Sequence, residues 1–370
     1  MNRDTLSTNQ VMSIVAQAML GVSILTVPGV VSRIAGPDAW LSFLITWAAV
    51  SGVAAVTVSL SLRFPGETLV GYSSRILGKR LGVLVSVVFG LLETISGALV
   101  ARVFAEAVGA VILVRAPIEV LSGAMVLLTL YLSLQRVRVF GRVNAFFFPG
   151  ICLVFALFIA GTYGYAHLAN LTPVLRRGLA PVLGGVAQSV LAFQGFEVML
   201  YFLGFADKPR ENMRASLTGI SLVGGAYVAT VAGVTGVFGP QHLSRLQWPV
   251  LEAIKVLGGE SALGIERFEA LFITVWMIAA FTTVGALVYT GVRILSEITG
   301  LQHSNLLVPL IGPLVYVTGL APENVFSALG IASRVSVAIV LYATFISLVM
   351  YVVAVATGKR GDGGGAGTGT

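Results

Sequence analysis

Two stretches of this chain set amide, glycine and, in one case, carboxylate groups inside apolar sequence. The first reads Gln17-Ala18-Met19-Leu20-Gly21 and runs on through Val22, Ser23 and Ile24 toward Pro28-Gly29. The second reads Gln188-Ser189-Val190-Leu191-Ala192 and runs on through Phe193-Gln194-Gly195-Phe196-Glu197. In each, an apolar helix carrying a glutamine meets small or helix-weakening residues where the middle of a membrane would fall. A helix interrupted in lipid leaves N–H and C=O groups unpaired, which is tolerated only when the break is buried in protein or lines a polar cavity. Interruptions at matching places in two halves of a membrane protein point to a central binding site. A small-molecule site between the first and sixth helices is therefore expected.

Other residues could complete such a site. Gln10, Ser13, Gln17 and Gly21 recur every three or four residues and form one polar stripe, either for hydrogen bonds between helices or for the wall of a cavity. N–H groups of the loose stretch 21–24 can turn toward a ligand. The start of the half-helix beyond it presents a positive dipole end, suited to a carboxylate. Glu197 at mid-membrane depth costs at least ~2.5 kcal/mol on insertion scales, so it must be protonated, paired or in water. It is either a structural group satisfied by backbone N–H at the break, or a ligand-binding or proton-responsive carboxylate. Phe193 and Phe196 are gates or core. In the third span Glu93 sits about 18 Å in, with Ser96 and Gly97 on its next turn, and faces the cavity or a neighbouring helix. Arg102 and Glu106, one turn apart, are expected to pair. Thr282 and Thr283, before Gly285 in the eighth span, either complete a cation site with carbonyls of the broken first helix or join helices.

The elements that must position these residues follow from composition. Hydrophobic residues make up 56% of 370 and charged residues 11%, with mean hydropathy +0.94. A globular domain carries about 25% charge, so the charges here cannot coat a water-facing surface of this size. The chain is expected to be an all-α polytopic membrane protein. Spans of about 20 apolar residues are placed at 8–34 (interrupted), 39–62, 81–112, 118–134, 143–165, 181–206 (interrupted), 215–238, 266–294, 306–320 and 334–357. The expectation is thus about ten transmembrane helices. They form a single transmembrane domain over 1–360, with halves of about 8–165 and 181–357 and a disordered Gly-rich tail at 361–370. Five spans per half imply an inverted repeat.

Net charge is +7, but the basic residues sit at helix ends, where they orient the chain; no nucleic-acid partner is expected. With both termini inside, the cytoplasmic loops hold Arg3, Arg63, Arg75, Lys79, Arg80, Arg136, Arg138, Arg142, Lys208, Arg210, Arg214, Arg293, Lys359 and Arg360. The opposite loops hold the smaller set Arg33, Arg115, Arg176, Arg177, Arg245, Lys255, Arg267 and Arg334, so the termini are expected in the cytoplasm. Residues 1–10 lack a basic n-region, and no cleavable signal is expected. Cys152 is the one cysteine and His167, His242 and His303 lie far apart. Neither a metal cluster nor a Ser/His/Asp arrangement occurs, so no enzyme activity, metal or cofactor is expected.

Short segments spread along the chain carry a resemblance: Leu6-Ser7-Thr8-Asn9-Gln10, Pro37-Asp38-Ala39-Trp40, Arg63-Phe64-Pro65, Ile76-Leu77-Gly78-Lys79, Trp248-Pro249 and Glu266-Arg267-Phe268-Glu269. In order, spacing and total length the chain resembles the endospore germination permease family, the B-type membrane subunit of nutrient germinant receptors. That family lies within the amino acid–polyamine–organocation transporter superfamily. The resemblance implies a ten-helix fold with an amino-acid-like site at the two breaks, carried here by Gly21, Val22, Ser23 and Ile24 and by Phe193, Gln194, Gly195, Phe196 and Glu197. It also implies assembly with an A-type membrane subunit and a C-type lipoprotein in the spore inner membrane, and a role in sensing a nutrient and triggering germination. Some proton-coupled relatives carry a lysine in the fifth helix, whereas 143–165 holds no charged residue here; this departure favours sensing over proton-coupled uptake. An autonomous amino-acid/cation symporter and a structural or water- or ion-conducting subunit are the alternatives.

Overall fold

The computed structural model describes residues 4–259, 268–301 and 307–361. The expected tail beyond Gly361 lies outside the described residues. So do Arg3, Glu266, Arg267, His303 and position 306, with the first two residues of the expected eighth span. The described secondary structure is helical apart from one isolated bridge, Leu6 with Ala206.

In chain order the α-helices are α1 (Thr8–Met19), α2 (Val27–Ala35), α3 (Ala39–Arg63), α4 (Leu69–Leu77), α5 (Lys79–Val111), α6 (Ile118–Ser133) and α7 (Val137–Tyr165). Then come α8 (Ala180–Ser189), α9 (Met199–Phe202), α10 (Asn212–Leu243), α11 (Pro249–Gly259), α12 (Phe268–Thr299), α13 (Leu307–Leu320) and α14 (Val325–Ala356). Among the described residues six continuous helical runs are long and apolar enough to cross a bilayer: Val27–Arg63, Lys79–Ala110, Val137–Tyr165, Pro209–Leu243, Phe268–Thr299 and Val325–Ala356. A seventh is the bent pair Ala180–Phe193 and Phe196–Phe205, and α6 and α13 are shorter apolar helices. The protein is an integral membrane protein.

Local chemistry sets several boundaries. Ser7 caps α1 in a capping box: its hydroxyl accepts from the Gln10 N–H at 3.4 Å, and the Gln10 side chain accepts from the Ser7 N–H at 2.9 Å. Gln10 is thus a capping residue, which removes it from the polar stripe expected on this helix. Gly36 (φ 60°) turns the chain between α2 and α3, both of which pack on α8. Asn324 caps α14 by accepting from the Ser327 N–H at 2.9 Å, so this helix begins nine residues before the expected span at 334. The amphipathic helices α4 and α11 were not among the expected elements; each is too short to span.

Close helix approaches are built on small residues. α5 and α12 pack so tightly that a Cβ on Gly90 would lie 3.1 Å from Ile294, and one on Gly291 would lie 2.6 Å from the Gly90 carbonyl. α10 meets α3 where Gly224 lies under the Trp47 indole. The two described chain ends lie on one side. The Leu6 N–H donates to the Phe205 carbonyl (2.8 Å) and the Asp207 N–H to that of Leu6 (2.9 Å). The Gly361 N–H donates to the Arg63 carbonyl at 2.8 Å, while Gly204 packs against the Glu67 backbone just past Arg63.

Adjacent glycines of α10 give a direct test of this packing. A Cβ on Gly224 would fall 2.5 Å from the Trp47 ring, whereas one on Gly225 meets the same ring at 4.0 Å. Gly224→Ala is expected to destabilise the protein by about 1–3 kcal/mol. Gly225→Ala is expected to be neutral or to stabilise by up to ~1 kcal/mol through helix propensity. Thermal unfolding in detergent reads both.

Candidate functional site

Both expected interruptions are present. α1 ends at Met19, a short 3-10 turn covers Ser23–Leu25, and α2 begins at Val27 with Pro28 in its first turn. The second break follows α8 and the 3-10 turn Val190–Phe193. Gln194 is extended (ψ 139°), Gly195 adopts φ +111°, and helical structure resumes at Phe196–Val198. The two halves of this span bend by 52°. Only glycine suits position 195: its φ is left-handed, and a Cβ would run into the Ala18 carbonyl of α1. The two interruptions therefore cross in direct contact.

Carbonyls freed at the end of α1 are held by hydroxyls from other helices. Tyr227 of α10 donates to the Met19 carbonyl and Thr283 of α12 donates to the Gln17 carbonyl, each at 2.5 Å. Gly21 packs against the same threonine, with a Cβ position 2.7 Å from its methyl. Thr282, one residue earlier, points elsewhere and bonds the Ala279 carbonyl of its own helix at 2.8 Å. Of the expected threonine pair only Thr283 reaches the break, because successive helix residues are rotated by about 100°.

A cavity of about 130 Å³ opens beside the first break. Val22, Ser23 and Thr26 of the break and Val27 and Val30 of α2 line it, facing Val100 and Val103 of α5, Gln188 and Leu191, and Leu329, Ala332, Ser333 and Ser336 of α14. No charged side chain is in this lining. Among the expected residues Val22 and Ser23 line the cavity, whereas Ile24 is buried away from it. Phe193 is core: it packs on Tyr227 (centroids 5.5 Å) and Phe43 (6.4 Å). Phe196 is likewise buried.

Gln194 is joined to the wall of this cavity through Ser336. Its amide donates to Ser96 of α5 and its carbonyl oxygen accepts from Ser336 of α14, so one side chain ties the second break to two helices. Glu197, three residues after Gln194, and Glu93, one turn before Ser96, are both fully buried. The Gly195 N–H donates to one Glu197 oxygen at 2.9 Å. The other Glu197 oxygen and both Glu93 oxygens have no hydrogen-bond partner among the described residues. The Gln17 amide donates to the Asn144 carbonyl of α7 at 2.5 Å, leaving its own oxygen unpartnered. Arg102 and Glu106 pair as expected, at 2.8 Å.

Sequence reasoning missed Thr26, Gln188, Ser333, Ser336 and Tyr227. Gln188 stood in the quoted second segment, and Ser333 and Ser336, at i and i+3 on an apolar helix, repeat the very stripe pattern used for the first helix.

This arrangement of broken helices is a transporter fold. MhsT, solved in complex with L-phenylalanine, superposes with TM-score 0.61 at 15% identity, over 94% of this chain and 89% of MhsT. A Na⁺-coupled sialic acid symporter gives 0.58 at 12% identity, over 87% and 72% of the two chains. By sequence, residues 5–327 match the profile of the family described as spore germination protein, so the chain belongs to the spore germination permease family. It is 28% identical to spore germination protein YndE of Bacillus subtilis (strain 168), over 86% of this chain and 88% of YndE. It is 25% identical to spore germination protein A2 of the same organism, over 86% and 87%. Family and fold are those of permeases rather than enzymes.

The two adjacent threonines separate the hydroxyl at the break from one serving its own helix. Thr283→Val leaves the buried Gln17 carbonyl without its donor and is expected to cost about 1–3 kcal/mol. Thr282→Val, which gives up a bond to a carbonyl of its own helix, is expected to cost less than half as much. Thermal unfolding of the two purified variants compares them.

Proposed function

We propose that this chain is the membrane subunit of a spore nutrient germinant receptor and binds an amino-acid-like germinant in the cavity beside the broken first helix. The observation that carries this reading is the position of the cavity. It lies against the start of α2, where helix-end N–H groups favour a carboxylate. Its other walls are valine, leucine and alanine with a few hydroxyls and one amide, and without charge. An apolar cavity of about 150 Å³ holds one benzene molecule, so a room of about 130 Å³ suits an amino acid with a short apolar side chain. We read the elements as ten crossings in two inverted halves, with the termini in the cytoplasm and the chain in the spore inner membrane. An A-type membrane subunit and a C-type lipoprotein are the partners this reading implies. Occupancy would bias two arrangements of the half-bundles, and that bias would be the signal for germination.

The transporter fold supports a second reading, an autonomous amino-acid/cation symporter. Proteoliposomes containing this chain alone distinguish the two: accumulation of labelled amino acid favours the symporter, and binding without uptake favours the receptor.

Ligand-dependent thermal stabilisation across the amino acids is the primary test. At a hundredfold excess over Kd, binding adds about 2.7 kcal/mol. Ala332→Leu, which fills the cavity from the α14 side, is expected to abolish this stabilisation while the protein still folds. Stabilisation by the same amino acid, undiminished in that variant, would remove the cavity from the account.

A further inference from the structure

Among the described residues two fully buried carboxyls are short of hydrogen-bond donors. Glu93 on α5 and Glu197 at the second break are both fully buried. Of their four carboxyl oxygens, three find no donor among the described residues, and the fourth has the Gly195 N–H. Glu93 is a wholly unpartnered side chain one turn from Ser96, which accepts from Gln194, three residues before Glu197. A carboxylate sealed from water without donors or a counter-ion is strongly disfavoured, and a bound proton removes its charge.

Among the described residues no cationic side chain bonds either carboxyl. α1 carries no ionisable side chain. On α5 itself, Arg102 is held by Glu106. On α12, Arg293 reaches the Gln135 carbonyl and covers the Tyr289 ring, and Glu297 accepts from Thr68. On α14, Arg334 donates to the Gly330 carbonyl and is exposed. On α4, the Tyr72 hydroxyl donates to the Leu200 carbonyl, and Arg75 pairs with Glu67. On α6, Glu119 lies in the first turn.

We propose that Glu93 and Glu197 together form a proton site, closed off from the cavity by the Gln194 bridge between Ser96 and Ser336. Ser96 stands one turn from Glu93, and Ser336 belongs to both the bridge and the cavity wall. A solute that draws Ser336 away from Gln194 opens a hydrogen-bonded path from the cavity to the carboxyl pair. The site would make the state of the second break sensitive to protons without any lysine in the fifth span. The bridge's role as a lid rests on the cavity reading above; the proton site does not.

Infrared spectroscopy of the purified full-length protein, without any nutrient, tests the proton site by itself. The wild type at neutral pH is expected to show the C=O stretch of a protonated carboxyl, unchanged when sodium replaces potassium. Glu93→Gln and Glu197→Gln should each shift or remove that band, because the two segments are joined through the Ser96–Gln194 bond. Gln194→Ala should speed its exchange in D₂O by about tenfold, as a barrier lowered by one hydrogen bond would. A wild-type spectrum with carboxylate stretches alone overturns the proposal, and it needs no variant to fold. A band untouched in both glutamine variants also overturns it, as does sodium-specific stabilisation that both variants lose, which would assign the pair to an alkali ion. Persistence of the band alongside loss of amino-acid binding in the wild type would leave the proton site standing and remove the cavity reading.

Discussion

Every backbone polar group within a bilayer has to find its partner inside the protein, and two breaks in one chain make that demand acute. The structure meets it by crossing them. Gly195 lies against the Ala18 carbonyl, Tyr227 takes the Met19 carbonyl, and Thr283 takes the Gln17 carbonyl. The second break and the helices α10 and α12 thus hold one crossing.

Two chemically distinct regions meet near the crossing. The cavity is apolar with scattered hydroxyls and no charge, a surrounding that recognises shape and a few hydrogen bonds. Elsewhere the acceptors outnumber the donors: the oxygens of Glu93 and Glu197, and that of Gln17, are buried with little to bind them. The Gln194 side chain bonds both Ser96, one turn from Glu93, and Ser336 in the cavity wall. A change in one region therefore has a short mechanical route to the other.

Much of this was legible in the sequence because the signals were local. Glycine, proline and glutamine inside apolar runs marked both breaks, and Arg102 with Glu106 one turn on gave their ion pair. What could not be read were relations between distant segments. Ser333 and Ser336 face the first break across some 300 residues of chain, so only the packed bundle shows that they share a cavity with Ser23 and Thr26. Thr282 and Thr283 look equivalent in the chain, yet one turns toward α1 and the other into its own helix. Gln10 matched the polar stripe by spacing, but the free N–H groups at the start of α1 claimed it as a cap. Spacing left Phe193 as gate or core, and the aromatic neighbours Phe43 and Tyr227 make it core.

The central claim is that a nutrient occupies the cavity beside the first break. Cys152 is the single native cysteine, so a Cys152→Ser background with a thiol introduced by Ser23→Cys reports on that cavity alone. The rate of labelling by a small thiol reagent, measured with and without the amino acid that triggers the response, is the most direct measurement. The account predicts protection that saturates with amino-acid concentration. An unchanged labelling rate at concentrations that trigger the full response would contradict it.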